Sequence, residues 1–148
     1  MRKRTQAREC VLKILYQIDM TQCPVEEALA AIWELNPVSD DIREFAERIA
    51  RGTVERLSEI DRKITQYAEN WQLDRMAVVD RNILRFAAYE LLFMNDIPPK
   101  VTINEAVNVA KKYSQDEAGK FVNGVLDKIH HTEADKPDAS PPSQKPDQ

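Results

Sequence analysis

The alternation of apolar and polar residues along the chain predicts a series of helices separated by short turns. The densest apolar stretch, Val78–Met94, has no Gly or Pro, and at 100° per residue its apolar side chains cover most of a helix circumference. A helix of this kind packs on several sides, so we predict that it forms the centre of the fold. Its polar residues form one stripe: Arg81, Asn82, Arg85 and Tyr89.

Glu90 falls outside that stripe. Its helical neighbours include Phe86, Ala87, Phe93 and Met94, which are apolar, so its carboxylate needs a hydrogen-bonded partner. We interpret Glu90 as one half of a structural hydrogen bond or buried ion pair, in preference to a catalytic acid.

The pattern predicts further helices on both sides of the central one. The first carries apolar residues from Ala7 to Ile18 at helical spacing, and the second begins at Pro24 and ends before Asn36. Glycines lie inside two later helices, where we expect close approach of a neighbour: Gly52 and Gly124. Predicted N-caps are Ser39, Ser58 and Asp74, and the segment Thr102–Glu105 has capping-box spacing.

Composition agrees with an all-α fold of about seven helices. The chain has 148 residues, 43% hydrophobic and 31% charged, only 3 Gly, and no alternating runs typical of strands. We predict a helical region at residues 1–131, which fits either one domain or two small helical subdomains that share a core. Residues 132–148 contain 4 of the 8 Pro and no large apolar side chain, so we predict a disordered tail there.

Several classes of protein are disfavoured by the sequence. No apolar run is long enough to span a membrane, and the basic start lacks the apolar core of a signal peptide. We therefore expect a cytoplasmic protein in which Cys10 and Cys23 are reduced. No phosphate-binding Gly loop, metal-ligand motif or nucleophile motif occurs, so we expect no enzyme, cofactor or metal.

A basic cluster opens the chain although its net charge is −4: Arg2, Lys3, Arg4 and Arg8. One interpretation is a solvated helix end, and the other is an arm that binds phosphates. Phe121, beside Lys120, is either a core residue or a platform for a nucleobase. From these residues alone, an RNA-binding module and a protein-interaction bundle both remain open.

Several motifs resemble those of the NusB transcription antitermination family. The first is Ala7-Arg8-Glu9-Cys10 leading to Leu15-Tyr16, and the central helix carries Asp80-Arg81-Asn82-Ile83-Leu84-Arg85 and Ala88-Tyr89-Glu90-Leu91. Further on are Ile97-Pro98 with Val101, then Ile103-Asn104-Glu105-Ala106-Val107, and Phe121-Val122-Asn123-Gly124-Val125-Leu126-Asp127. The resemblance runs in order from about residue 2 to residue 129.

The resemblance implies a small all-α fold of two helical subdomains and a function in transcription. Members of the family bind boxA RNA together with the ribosomal protein NusE, and join NusA, NusG and RNA polymerase to limit premature termination, notably on ribosomal RNA operons. The RNA-binding positions that match are Arg2, Lys3, Arg4, Arg8, Tyr16, Lys120 and Phe121. Asp80, with its neighbour Arg81, matches the surface that meets the protein partner.

Two alternatives remain beside this one. A related helical domain precedes the catalytic part of some ribosomal RNA methyltransferases, but this chain has no room for a methyl-donor fold. A homodimeric interaction protein with weak RNA binding is the other alternative.

Overall fold

The computed structural model describes residues 2–69 and 71–134, and in that part of the chain it contains seven α-helices and no strand. The helices are α1 (Lys3–Thr21), α2 (Val25–Leu35), α3 (Asp40–Glu55), α4 (Leu57–Tyr67), α5 (Val78–Phe93), α6 (Pro99–Tyr113) and α7 (Asp116–Ile129). A 3₁₀ turn, Leu73–Arg75, precedes α5, and a π-helical turn, His130–Ala134, follows α7. The predicted all-α architecture is confirmed.

Helix α5 is the centre of the fold, as its apolar circumference predicts. It packs against α1, α3, α4, α6 and α7, and Ile83, Leu84 and Phe86 are fully buried in it. One large apolar cluster includes residues of these six helices, and a smaller cluster lies between α1, α2 and α3. The helices therefore share a core, while their division into two subdomains stays a prediction.

The two glycines have opposite surroundings. Gly52 in α3 is buried against the ring of Tyr89 in α5, and a Cβ at this position would overlap that ring. The predicted close approach is confirmed there. Gly124 in α7 is exposed, and a Cβ would meet nothing within 4 Å, so the same prediction is wrong for Gly124.

A buried ion cluster joins α1, α5 and α6, and Glu90 is at its centre. Arg8 donates two hydrogen bonds to the Glu90 carboxylate, at 2.9 and 2.7 Å, and the Thr102 hydroxyl donates a third at 2.9 Å. Glu105 accepts a hydrogen bond from Thr5 at 2.6 Å and lies 3.5 Å from the Arg8 guanidinium. We name these five residues the buried ion cluster, and the interpretation of Glu90 as a structural partner agrees with it.

The same contacts show that the predicted capping box is wrong. Helix α6 begins at Pro99 with Pro98 as its N-cap, so Thr102 and Glu105 lie inside the helix. Their side chains bind α5 and α1 and do not cap α6. Spacing alone could not separate the two uses, because a Thr and a Glu three residues apart also share a face within a helix.

The polar stripe of α5 binds a second set of acids. Arg81 donates to Asp19 of α1 at 2.7 and 2.9 Å, and Arg85 donates to both Asp19 and Asp61 of α4. Burial of Asp19 acts to raise its pKa, but hydrogen bonds from Arg81 and Asn82 and the charge of Arg85 outweigh it, so the pKa lies below its usual value. The stripe therefore connects three helices.

The predicted N-caps were only partly correct. Ser39 occupies the N-cap position of α3, as predicted, although its side chain makes no capping hydrogen bond. Ser58 lies inside α4, whose N-cap is Arg56, and Asp74 lies in the 3₁₀ turn, so α5 begins after Ala77 instead.

The ordered helical region runs slightly beyond the predicted boundary at residue 131. The π-helical turn includes Thr132 and Glu133, and Glu133 accepts a hydrogen bond from Tyr67 and lies 3.2 Å from Lys63 of α4. The rest of the predicted tail, residues 135–148, lies outside the described residues.

Candidate nucleic-acid interface

The first turn of α1 carries three exposed basic residues: Arg2, Lys3 and Arg4. The Lys3 ammonium lies 3.0 Å from Asp41, and the Arg4 guanidinium lies 4.4 Å from the centre of the Phe45 ring. Both side chains therefore contact α3. Arg8 does not belong with them, because it is 1% exposed and its guanidinium is enclosed in the buried ion cluster. Its assignment to an exposed phosphate-binding arm is therefore corrected.

Tyr16 lies further along α1 and is 43% exposed. Lys13 precedes it by about one helical turn and Met20 follows it by one, and both are exposed. Glu9 belongs to the same face of α1 and accepts hydrogen bonds from Lys112 and Tyr113 at the end of α6. This exposed stripe of α1 therefore borders the C-terminal turn of α6.

The contact with Glu9 also changes the acidity of Tyr113. Burial, together with the hydrogen bond to Glu9 and the charge of Glu9, raises the pKa of Tyr113 to about 12. The Tyr113 hydroxyl consequently stays protonated and continues to donate to Glu9 at neutral pH, which holds α1 and α6 together beside the exposed stripe.

Four exposed lysines extend the stripe from α1 across α6 to α7. The side chain of Lys111 lies along Gly119, where a Cβ would be 3.4 Å from Lys111 Cε, and Lys120 follows Gly119 directly. We name these residues the lysine row: Lys13, Lys111, Lys112 and Lys120. Sequence reasoning identified only Lys120 among them, because cations near a helix C-terminus, such as Lys111 and Lys112, are also typical of dipole stabilisation.

An open pocket lies at the Lys120 end of the row. Its volume is about 650 Å³, and its wall includes Trp71, Asp80, Glu117, Lys120 and Phe121. The rings of Trp71 and Phe121 are in contact, with centroids 5.6 Å apart and planes 56° apart. We name it the end pocket. Phe121 is half-buried against the core and also lines the pocket, so it packs as a core residue, and its role as a platform for a nucleobase stays a prediction.

The structure separates Asp80 from Arg81, which the resemblance places on one partner surface. Asp80 lines the end pocket, and its Oδ1 is buried with no hydrogen-bond partner among the described residues. Arg81 points to Asp19 and is 16% exposed. Trp71, 52% exposed, was not identified as a site residue from the sequence, because a lone aromatic in a turn carries no distinctive pattern.

Two other features, a metal site and a membrane-spanning helix, are absent from the described part of the chain. No group of three or more His, Cys, Asp and Glu side chains is placed there to hold a metal ion. None of its helices is long and apolar enough to cross a membrane.

Comparison with known proteins decides the family. The model of the NusB family matches residues 5–131, which is most of the chain. The chain belongs to the NusB family. A transcription antitermination protein NusB of Thermodesulfovibrio yellowstonii is 44% identical over 137 residues, covering 86% of this chain and 91% of that protein. The NusB protein of an Anaeromyxobacter species is 49% identical over 128 residues, covering 86% and 89%.

Solved NusB structures share the fold. The structure of T. maritima NusB matches with a TM-score of 0.83 at 45% identity, covering 90% of this chain and 94% of that chain. A structure of the antitermination factors NusB and NusE in complex with double-stranded RNA matches with a TM-score of 0.82 at 32% identity, covering 88% and 98%. The resemblance noted from the sequence motifs is thereby confirmed at the level of family and fold.

Proposed function

We propose that this NusB-family chain is a transcription antitermination factor that binds single-stranded boxA-type RNA together with the ribosomal protein NusE. The observation that carries the proposal is the lysine row, four exposed cations that lead from Tyr16 to the aromatic end pocket. Phosphates are attracted to such a row, and unpaired bases stack on aromatic side chains beside it.

The charge pattern explains how an acidic protein can bind RNA. The net charge is −4, yet Glu9 and Glu105 beside the α1 stripe are held by Lys112, Tyr113, Thr5 and Arg8. Lys13, Lys111 and Lys120 face solvent without an ion pair among the described residues. The lysine row is short and can contact only a few phosphates. We therefore expect the chain alone to bind RNA weakly and the chain with a partner to bind it more tightly.

The known partners of related proteins guide the rest of the proposal. A relative forms a complex with NusE and RNA. For this chain we propose that NusE adds contacts to the RNA, and that the pair joins NusA, NusG and RNA polymerase on ribosomal RNA operons in the cytoplasm. In this role the chain acts by binding and not as an enzyme. Arg2, Lys3 and Arg4 are proposed to meet phosphates beyond the lysine row.

Titration of labelled boxA-type RNA, with and without saturating NusE at one fixed salt concentration, tests the proposal. We expect detectable binding by the chain alone and markedly tighter binding with NusE. Equal affinities in the two titrations would contradict the cooperative part. Absence of RNA binding in both, with a dimer in sedimentation, would favour the homodimeric alternative.

A further inference from the structure

We infer that the Pro-rich tail of this chain, residues 135–148, docks on the end pocket and covers Trp71, so that a ligand of the pocket has to displace it. The tail lies beyond residues 5–131, which the family model matches, and is therefore additional to the matched region. The docking itself does not depend on the proposed function, whereas its effect on RNA binding rests on that function.

Trp71 forms an aromatic surface that the other described residues leave open. It is 52% exposed, and its ring contacts the ring of Phe121 with centroids 5.6 Å apart. The end pocket that both rings line has a volume of about 650 Å³, and its wall also includes the start of α5 and the α6–α7 connection. Open grooves lined by aromatic side chains are the sites at which Pro-rich segments bind.

The tail has the composition that such a groove binds. It contains no aromatic and no large aliphatic residue, and its prolines are Pro137, Pro141, Pro142 and Pro146. Pro-rich segments favour the extended polyproline II conformation, so a groove that binds them pays little conformational entropy. Proline rings are therefore the part of the tail that can bury apolar surface against Trp71.

The last described turn brings the chain close to the pocket. Glu133, in that turn, accepts a hydrogen bond from Tyr67, so the turn is held on the end of α4. The Trp71 N–H donates to the Ala68 carbonyl in the turn that follows α4. The path from Glu133 to Trp71 is therefore on the order of 20 Å. A polyproline II segment advances about 3.1 Å per residue, so the stretch from Asp135 to Pro142 spans about 25 Å, and its two adjacent prolines reach the Trp71 ring.

The net charges of the pocket and of this part of the tail are opposite. Asp80, Glu117 and Lys120 line the pocket, so two acids and one base give its wall a net charge of −1. The tail between residues 139 and 146 carries Lys145 and no acid, which gives a net charge of +1. Glu117 is exposed, so its carboxylate is open to the Lys145 ammonium. Charge complementarity therefore favours the tail as the occupant of the pocket.

Attachment to the same chain makes even a weak contact effective. A short tether gives an effective concentration in the mM range, so a segment with a dissociation constant of about 1 mM is bound in about half of the molecules or more. Only the remaining molecules offer an open pocket to another ligand. The apparent affinity of that ligand is consequently lowered by about two- to fourfold.

Quenching of the Trp71 emission by acrylamide tests whether the tail covers the ring. The chain has 2 Trp, so in a Trp33→Phe background the tryptophan emission comes from Trp71. In the test variant of the full chain, all four tail prolines are replaced with Ala. We expect acrylamide to quench this variant roughly twice as steeply as the chain with the unchanged tail, because the docked fraction is lost.

The matched control replaces four other tail residues with Ala and keeps the prolines: Ser140, Ser143, Gln144 and Gln148. Both variants keep the length and the net charge of the tail, and the control should be quenched like the unchanged tail. Equal quenching of the test variant and the unchanged chain would overturn the inference and leave the pocket to RNA or to the protein partner. Equally steeper quenching in both variants would also overturn it.

RNA titrations of the same two variants, with saturating NusE, measure the effect of docking on binding. We expect the test variant to bind boxA-type RNA about two- to fourfold more tightly than the unchanged chain, and the control to bind it equally. Unchanged affinity in the test variant would contradict the displacement of the tail by RNA. Tail-dependent protection of Trp71 without RNA binding by any of the chains would retain the docking and contradict the proposed function.

Discussion

The buried ion cluster and the end pocket are two regions rich in charged groups, and they differ in how those charges are satisfied. In the cluster, Glu90 accepts hydrogen bonds from Arg8 and Thr102, and all three residues are buried. At the pocket, Asp80 Oδ1 has no partner among the described residues and Lys120 is exposed. The charges of the buried ion cluster satisfy one another and hold three helices together, whereas those at the end pocket form no such connection among the described residues.

The basic cluster at the start of α1 contains both an exposed and a buried arginine. Arg2 is exposed at the helix start, but Arg8 falls on the apolar face with Ala7 and Val11 and meets Glu90 of α5. Two arginines of one motif therefore have unrelated roles, and the buried one belongs to the fold. Substitutions in the two regions are therefore expected to have different effects.

The largest effect is expected from Glu90→Ala. It leaves the Arg8 guanidinium buried without its main partner, which costs about 3–5 kcal/mol of the free energy of unfolding. Asp96→Ala, which removes an exposed ion pair with Arg48, should cost at most about 1 kcal/mol. Urea unfolding of both variants measures the difference. Similar small losses in the two variants would show that the buried ion cluster does not hold the helices together.

The glycines give a second contrast. Gly52→Ala forces the Tyr89 ring away from α3 and should cost about 1–3 kcal/mol, because the site is already filled. Gly124→Ala enters open space on an exposed helix face and should stabilise the fold by about 0.5–1 kcal/mol. Thermal unfolding of the two variants measures both the expected loss of stability in Gly52→Ala and the expected gain in Gly124→Ala. A stabilised Gly52→Ala variant would show that α3 and α5 do not approach so closely.

A smaller effect concerns pH and Asp19. Its pKa is lowered in the folded chain, so its contribution to stability is fully present above the unfolded value of about 3.9 and is lost as the pH falls through the lower, folded value. We expect wild-type stability to decrease as the pH drops below about 4, and Asp19→Asn to make this decrease shallower. Glu34→Gln, at an exposed position of α2, serves as control. Identical curves for wild type and Asp19→Asn would contradict the prediction.

The smallest effect is expected from the start of α1. Replacing Arg2, Lys3 and Arg4 with Gln should flatten the salt dependence of RNA binding by at most about 2 in the log–log slope, since each single-strand phosphate contact contributes about 0.7. Fold stability should hold or rise slightly, because the change removes cations from a helix N-terminus. Salt titrations and a melting curve measure both. A strong loss of stability would show that the contacts with Asp41 and Phe45 hold α1 in place.

Sequence reasoning succeeded where one helix carries the information. The apolar circumference of α5 and its need for a partner at Glu90 can both be deduced from local pattern, whereas the expectation of close packing at a helical glycine was right at Gly52 and wrong at Gly124. It failed where a side chain has a distant partner. Arg8 has the same charge as its exposed neighbours, and its partner Glu90 is 82 positions away.

The candidate site was only partly predictable for the same reason. Tyr16, Lys120 and Phe121 were identified through the motifs, but Lys13, Lys111 and Lys112 come onto one surface only when α6 packs against α1 and α7. Trp71 and Asp80 likewise share a pocket only after the turn before α5 folds against α7. A contact that depends on tertiary packing leaves no periodic signal in the chain.

We propose that the lysine row binds the RNA, and the salt dependence of RNA binding by one triple variant tests this assignment. Lys13, Lys111 and Lys120 are replaced with Gln, while Lys112 is kept because it pairs with Glu9. The control replaces three exposed arginines at α3 and α4 with Gln: Arg43, Arg56 and Arg62. Both variants lose the same charge, and both are measured with saturating NusE.

We expect the lysine variant to bind RNA more weakly, with a log–log salt slope that is flatter by about 2, from three contacts of about 0.7 each. The arginine control should keep the slope of the wild type. An unchanged slope in the lysine variant, or equal flattening in both variants, would contradict the assignment of the lysine row as the RNA-binding surface.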